Sequence, residues 1–255
     1  METHSEARRR ELESLDRGEL EQYQLERLNR LLESILPQNR FYAEKLAHCP
    51  EQLETLDQLQ ELPPTSKEEL LWDEGQLTLP KNLTWPTEKY VRYHQTSGTR
   101  GRPLSVLDTA EDWKWWIDAW QYVLDAAEIT AEDRVMMAFS FGPFIGFWSA
   151  HDAVIHRGAL AIPGGGMNTL ARLDLIKRTK ATAIFCTPSY ALHLAEVAAE
   201  HKISLASFDV RKIVVAGETG GSIPATRNRI ETAWNARVID PGGTSAVGSL
   251  GLCSR

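Results

Sequence analysis

No apolar run in this 255-residue sequence reaches the length of a bilayer span, and residues 1–20 are charged rather than signal-like. Cysteine is scarce: Cys49, Cys186 and Cys253 are far apart and have no paired metal-binding spacing. Cys186 sits in an apolar run and reads as core. Positive charge is in deficit, with 28 Lys and Arg against 35 Asp and Glu for a net charge of −7. That balance argues against nucleic acid or an anionic membrane as the main partner. Internal repeats and low-complexity segments are missing. The seven histidines, His94 and His151 among them, are scattered and suggest no Ser/His/Asp or Cys/His nucleophile system. Together these absences point to a cytoplasmic protein.

What is present is ordinary for a globular chain: 42% hydrophobic and 25% charged residues, with enough length for one large or two small domains. The segment that stands out is Tyr93-His94-Gln95-Thr96-Ser97-Gly98-Thr99-Arg100-Gly101-Arg102-Pro103-Leu104. Glycines let a backbone turn its N–H groups inward, hydroxyls add donors, and two arginines add forked cations. The combination suits phosphates. It is not a Walker A loop, because no Gly-Lys-Ser/Thr follows. On composition alone an ordinary surface loop reads the same way.

Ahead of this segment, residues 11–36 predict one helix, with Leu25, Leu28, Leu32 and Ile35 on a single stripe that Pro37 ends. Shorter helical pieces follow around Phe41-Tyr42 and over Leu53, Leu56, Leu59 and Leu62. After Pro63-Pro64, Thr65 or Ser66 is placed to cap another helix. Residues 1–90 thus form a helical leader, read as a layer packing on the core, with a homodimer contact as its alternative use.

Residues 91–255 alternate in pattern. Helices are predicted over 111–128, 144–156, 170–179, 191–201 and 224–235, and strands over 134–139, 159–163, 181–186, 212–216 and 237–240. Such alternation predicts an α/β fold, a mostly parallel sheet covered by helices on both faces. Ligands of such sheets sit at the carboxyl ends of the strands. That rule selects residues 139–146, 164–166, 187–190, 217–222 and 241–248.

The Thr96-to-Leu104 stretch resembles the phosphate loop of the adenylate-forming ligases, Ser/Thr-Ser/Thr-Gly-Thr-Thr-Gly-Lys-Pro-Thr. Arg100, Arg102 and Leu104 replace its second Thr, its Lys and its last Thr. Phe41-Tyr42, Pro64-Thr65-Ser66-Lys67 and Thr187-Pro188-Ser189-Tyr190 are similar to the phenylacetate–coenzyme A ligase branch, and the resemblance covers about residues 25–251. It implies the first part of an adenylate-forming large domain. The implied reaction joins a carboxylic acid, such as phenylacetate, to coenzyme A through an acyl-adenylate. The implied cofactors and co-substrates are ATP, Mg2+ and coenzyme A.

By the same resemblance Thr96, Ser97, Gly98, Thr99, Gly101 and Arg102 bind phosphate. Gly217, Glu218, Thr219, Asp240, Gly243 and Ser245 bind the adenylate, and Phe141, Phe144 and Tyr190 line the acyl pocket. Read without the family, residues 217–224 are a plain strand-to-helix turn with Ser222 as N-cap, and Tyr190 serves equally as core.

Two departures matter. The branch's Asp-His-X-Gly-Met-Thr-Glu-Val-Gly becomes Asp240-Pro241-Gly242-Gly243-Thr244-Ser245-Ala246-Val247-Gly248, so alanine stands where the family holds its magnesium with glutamate. An alanine offers no oxygen ligand. Family members continue past this loop with a ribose-binding aspartate and a small mobile domain carrying a catalytic lysine; this sequence ends at Arg255 and reads as a fragment, with a natural short form or a half that needs a partner as the alternatives. A non-catalytic nucleotide- or acyl-adenylate-binding remnant of such a ligase is the alternative.

Overall fold

A computed structural model describes residues 4–71, 79–96, 103–140, 142–244 and 248–253, with backbone alone over 242–244 and 248–253. The chain divides into two compact units, Met1–Trp113 and Lys114–Arg255. The sequence reading divides it at residue 90; the compact units put the segment around the phosphate-loop motif with the leader.

In the first unit the single helix expected over 11–36 is two, α1 (Glu6–Glu13) and α2 (Arg17–Ile35). The Leu25-to-Ile35 stripe lies wholly in α2, and local polar groups break the chain upstream of it. Ser14 Oγ donates to the Glu11 carbonyl at 2.8 Å, and Asp16 and Glu19 form a reciprocal capping box that starts α2. Asn29 then clasps the backbone of Leu53, accepting from its N–H and donating to its carbonyl, both at 2.8 Å. That clasp satisfies a loop around Leu53, which is only 2% exposed.

Asn39 caps α3 (Arg40–Lys45) and also donates to the Asn82 carbonyl and Thr84 Oγ1, both at 2.9 Å. The leucine set near residue 59 forms a 3-10 turn, Leu56–Glu61, rather than an α-helix. Ser66, not Thr65, caps the short α4 (Lys67–Leu70). Two strands not foreseen from sequence, β1 (Tyr90–Gln95) and β2 (Ser105–Thr109), pair antiparallel and flank the phosphate-loop motif.

Helix α5 (Ala110–Ala126) leads into the second unit. There β3 (Arg134–Met137), β4 (Leu160–Pro163), β5 (Ala183–Cys186), β6 (Lys212–Val215), β7 (Arg237–Thr244) and β8 (Gly248–Cys253) form one sheet in the order β4-β3-β5-β6-β7-β8. The first five are mutually parallel, and β8 runs antiparallel to β7. Between them come α6 (Ile145–His156), α7 (Thr169–Thr179), α8 (Pro188–Glu200) and α9 (Pro224–Trp234).

The inner residues of β3, β5 and β6 are apolar because both faces of the sheet are covered there. Met136, Ile184, Cys186, Ile213 and Val215 pack with Leu173, Ile176, Leu194, Ile230 and Trp234 of α7, α8 and α9. Their neighbours Val135, Met137, Ala183, Phe185 and Val214 pack with Trp120, Val123, Leu124, Ala150 and Val154 of α5 and α6. The period-two alternation of strand side chains generates these two cores. Cys186 is core, as expected, and burial pushes its thiol up to about 12, with the nearby Glu218 charge adding to the effect and Arg172 opposing it. Among the described residues no helix is long and apolar enough to cross a membrane.

Polar networks seal the ends of this unit. At the amino edge of the sheet, buried Asp133 accepts from Thr182 Oγ1 at 2.6 Å, from Thr130 N–H at 2.9 Å and from Lys212 Nζ at 3.2 Å. Between α5 and α6, Arg157 donates to Gln121 Oε1, the Gln121 and Ile129 carbonyls and Asp125 Oδ1, at 2.7 to 3.0 Å. These fix the scaffold at positions away from the carboxyl ends of the strands.

Candidate functional site

The carboxyl ends of β5, β6 and β7 bring three separate sequence segments to one loop. After β6 the chain turns at Gly217, whose φ of +94° suits glycine and strains other residues. The Phe147 ring and the Thr187 methyl close on this glycine; a Cβ there would meet them at 3.5 and 3.6 Å. Glu218 follows, and its Oε1 accepts from the backbone N–H of Ser189 at 2.7 Å. Ser189 lies in the first turn of α8, where backbone N–H groups have no helical acceptor, so the carboxylate joins the Gly217 turn to the Thr187-to-Tyr190 turn. Partial burial pushes the Glu218 carboxyl up, but hydrogen bonds from Ser189 and Thr187 outweigh it and hold the group below its ordinary value.

The other side of the same loop reaches β7. Ser222 Oγ donates to Asp240 Oδ2 at 2.6 Å. Asp240 lies so close to Gly221 that a Cβ there would stand 2.6 Å from Oδ2 and 2.4 Å from Val215 Cγ2. Arg227 of α9 braces the loop, donating to the Gly221 carbonyl at 3.1 Å and the Val238 carbonyl at 2.7 Å. Ser222 therefore does not cap α9; the N-cap is Ile223, without a side-chain bond, and the Ser222 hydroxyl is spent on Asp240 instead.

Of the expected adenylate residues, Gly217, Glu218 and Asp240 thus share one hydrogen-bonded loop. Thr219 is exposed on it. Gly243 does not lie in a loop over 241–248 as expected. Strand β7 runs through to Thr244 and pairs Gly243 with Ser249 of β8, past an irregularity at Gly242/Gly243. Ladder bonds need only backbone groups, so glycines do not prevent the pairing. Ser245 and Ala246 lie outside the described residues, as do Ser97, Gly98, Thr99, Gly101, Arg102 and Phe141. Thr96 is described, in the first unit. Its N–H donates to the Leu104 carbonyl and its Oγ1 accepts from Leu104 N–H, both at 3.0 Å, closing the base of the phosphate-loop motif.

Among the acyl-pocket candidates, Phe144 is 43% exposed at the start of α6, next to Gly142, whose carbonyl accepts from Trp148 Nε1 at 2.9 Å. Tyr190 is half-buried, with its hydroxyl 3.3 Å from Thr169 Oγ1 and its ring under the Arg172 guanidinium at 4.9 Å. Two participants escape sequence reading. Phe147, stacked on Phe139 with centroids 3.8 Å apart, walls Gly217 from a helix, and Arg172 reaches the site from α7. Neither belongs to a loop motif, so only the packing of α6 and α7 reveals them.

Among the described residues no group of three His, Cys, Asp or Glu side chains is spaced to hold a metal ion, and Glu218 and Asp240 are each engaged by a protein donor.

No protein-family model matches the chain. It is 32% identical over 182 residues to the phenylacetate–coenzyme A ligase of Pseudomonas putida, covering 69% of this chain and 40% of that one. The enzyme of the same name from Thermus thermophilus is 30% identical over 213 residues, covering 82% and 46%. In fold, a crystal structure of 2-hydroxyisobutyryl-CoA ligase in complex with its acyl-AMP and CoA superposes with a TM-score of 0.84 at 28% identity, covering 91% of this chain and 50% of that one. A parallel sheet with these loops at its carboxyl ends, matched at this level, defines a protein of the adenylate-forming ligase class. Within that class the chain belongs to the phenylacetate–coenzyme A ligase-like branch. It spans somewhat under half the length of the curated relatives it matches.

Proposed function

We propose that this chain is the AMP-binding part of an acid–coenzyme A ligase acting on an aromatic acid such as phenylacetate. In the reaction the acid's carboxylate attacks the α-phosphorus of ATP, and the bond to pyrophosphate breaks. The thiol sulfur of coenzyme A then displaces AMP to form a thioester. The substrate supplies its own nucleophile, so the protein's part is positioning and charge neutralisation. The observation that carries this reading is the Glu218–Ser189 bond, which ties the adenine-side turn to the Thr187-to-Tyr190 turn at the carboxyl ends of β5 and β6.

In this reading Gly217, Glu218 and Thr219 hold the adenine, and Asp240, Gly243 and Ser245 the rest of the adenylate. The 96–102 segment takes the pyrophosphate, and Phe141, Phe144 and Tyr190 face the acid. A thermal-shift titration with ATP, AMP and a non-hydrolysable aryl-adenylate tests it. At about 100 times the dissociation constant a bound ligand stabilises by about 2.7 kcal/mol, a shift of a few degrees. A cooperative melt that no ligand moves overturns the reading.

Ala246 favours a second reading, a non-catalytic adenylate-binding protein. Pyrophosphate exchange separates the two. A large gain on Ala246→Glu in the full-length protein identifies an otherwise competent site, and no gain identifies a binder.

A further inference from the structure

Arg172 reaches the site from α7 without an assigned ligand, and its surroundings are unusual for a cation. It lies in the first turn of α7 and is 6% exposed. Its Nε donates to the Gly164 carbonyl at 2.8 Å, and its guanidinium carbon sits 4.9 Å from the Tyr190 ring centroid. Among the described residues no carboxylate stands within ion-pair distance of it, and neither Nη nitrogen donates to another residue.

A buried charge is normally offset by a counter-charge, because taking it out of water is costly. Here one N–H and one face of the guanidinium are satisfied and the Nη edge is left over. The group is also held still. The Gly164 carbonyl fixes one edge, and Tyr190, anchored through its hydroxyl to Thr169 at 3.3 Å, fixes the face. Gly164 follows β4 and Tyr190 follows β5, so this preorganised fork stands at the carboxyl ends of the strands. A planar fork with two free Nη groups matches a carboxylate in two-point contact.

We propose that Arg172 binds a carboxylate of the acid substrate and so selects the acid. This rests on the ligase reading above. The shared chemistry is an oxyanion, and a nucleotide phosphate is the competing source.

The experiment measures binding to the 255-residue chain by calorimetry, with phenylacetate, phenylmalonate and AMP as separate probes, for the wild type, Arg172→Lys and Arg172→Leu. The expected result is about tenfold or greater loss of acid affinity in Arg172→Leu, a smaller loss in Arg172→Lys, and unchanged AMP affinity. If both acids weaken equally, Arg172 holds the carboxylate they share; if only phenylmalonate weakens, it holds the second one. Either supports the assignment. Acid affinity within twofold of wild type in a folded variant overturns it, as does a loss confined to AMP. Should Arg172→Leu not fold, Arg172→Lys decides by the same criterion. A wild type that binds AMP but neither acid removes this inference while the nucleotide site stands. A wild type that binds none of the three removes the ligase reading as well.

Discussion

Glu218 Oε1 accepts the Ser189 backbone N–H at 2.7 Å, a bond between residues 29 apart in sequence that makes one unit of two loops. The carboxylate, supplied from the loop after β6, satisfies an N–H in the first turn of α8 and fixes the turn at Gly217 against it.

Replacing it with Gln at Glu218 keeps an acceptor but removes the charge that favours a helix N-terminus. The expected cost is about 1 kcal/mol or less in stability. Affinity for the aryl-adenylate falls more than affinity for the acid alone. The carboxyl is held below its ordinary value, so its contribution is complete above the unfolded value and is lost as pH falls through the folded one. A urea series from pH 7 down to about pH 3 on wild type and Glu218→Gln measures this; parallel curves would sink the capping role.

Gly221→Ala tests the close approach of Asp240. The added methyl has no room, at 2.4 Å from Val215 Cγ2 and 2.6 Å from Asp240 Oδ2. Overpacking of this kind costs about 1–3 kcal/mol, and the shift of Asp240 should weaken AMP binding. Ser222→Ala, which removes only the 2.6 Å hydrogen bond, should leave more AMP affinity than Gly221→Ala. The reverse order, read by calorimetry, would show that Asp240 is not positioned by this contact.

Asp133 is 4% exposed, yet ionised. Burial pushes its carboxyl up, but hydrogen bonds from Thr182, Thr130 and Lys212, with the Lys212 charge, bring it below the ordinary value. Its stabilising contribution is therefore complete above the unfolded carboxylate value and disappears as pH falls through the lower folded one. Asp133→Asn is expected to lose about 2–3 kcal/mol at neutral pH and less in acid, by denaturant unfolding. A loss that does not vary with pH would count against a charged Asp133.

Arg157 joins α5 to α6 through four acceptors. Arg157→Ala removes all four of these bonds, one of them to the Asp125 carboxylate, for an expected loss of about 3 kcal/mol. Arg157→Lys should recover little of it, since an ammonium cannot reach four acceptors in a plane. Thermal unfolding of both variants checks this, and a Lys variant as stable as wild type would refute the fork argument.

The elements of the second unit were legible because each strand is a short apolar block between amphipathic helices. Strands predicted over 134–139, 181–186 and 212–216 appear as Arg134–Met137, Ala183–Cys186 and Lys212–Val215. Local polar chemistry caused the misses. Asp16 starts a new helix within the 11–36 span, upstream of the Leu25-to-Ile35 stripe, and β1 and β2 hide beside the motif they flank because their residues Tyr90–Gln95 and Ser105–Thr109 are largely polar.

What the sequence determined by itself is the class of fold and the branch of ligase. Both are written in local signals: the period of apolar residues, and short loop motifs such as Thr187-Pro188-Ser189-Tyr190. Which side chains meet across those loops was decided only by tertiary structure. Glu218 with Ser189, Asp240 with Ser222, and Arg172 with Tyr190 are pairs from different elements. Their distances depend on strand order and helix packing, which no local pattern encodes.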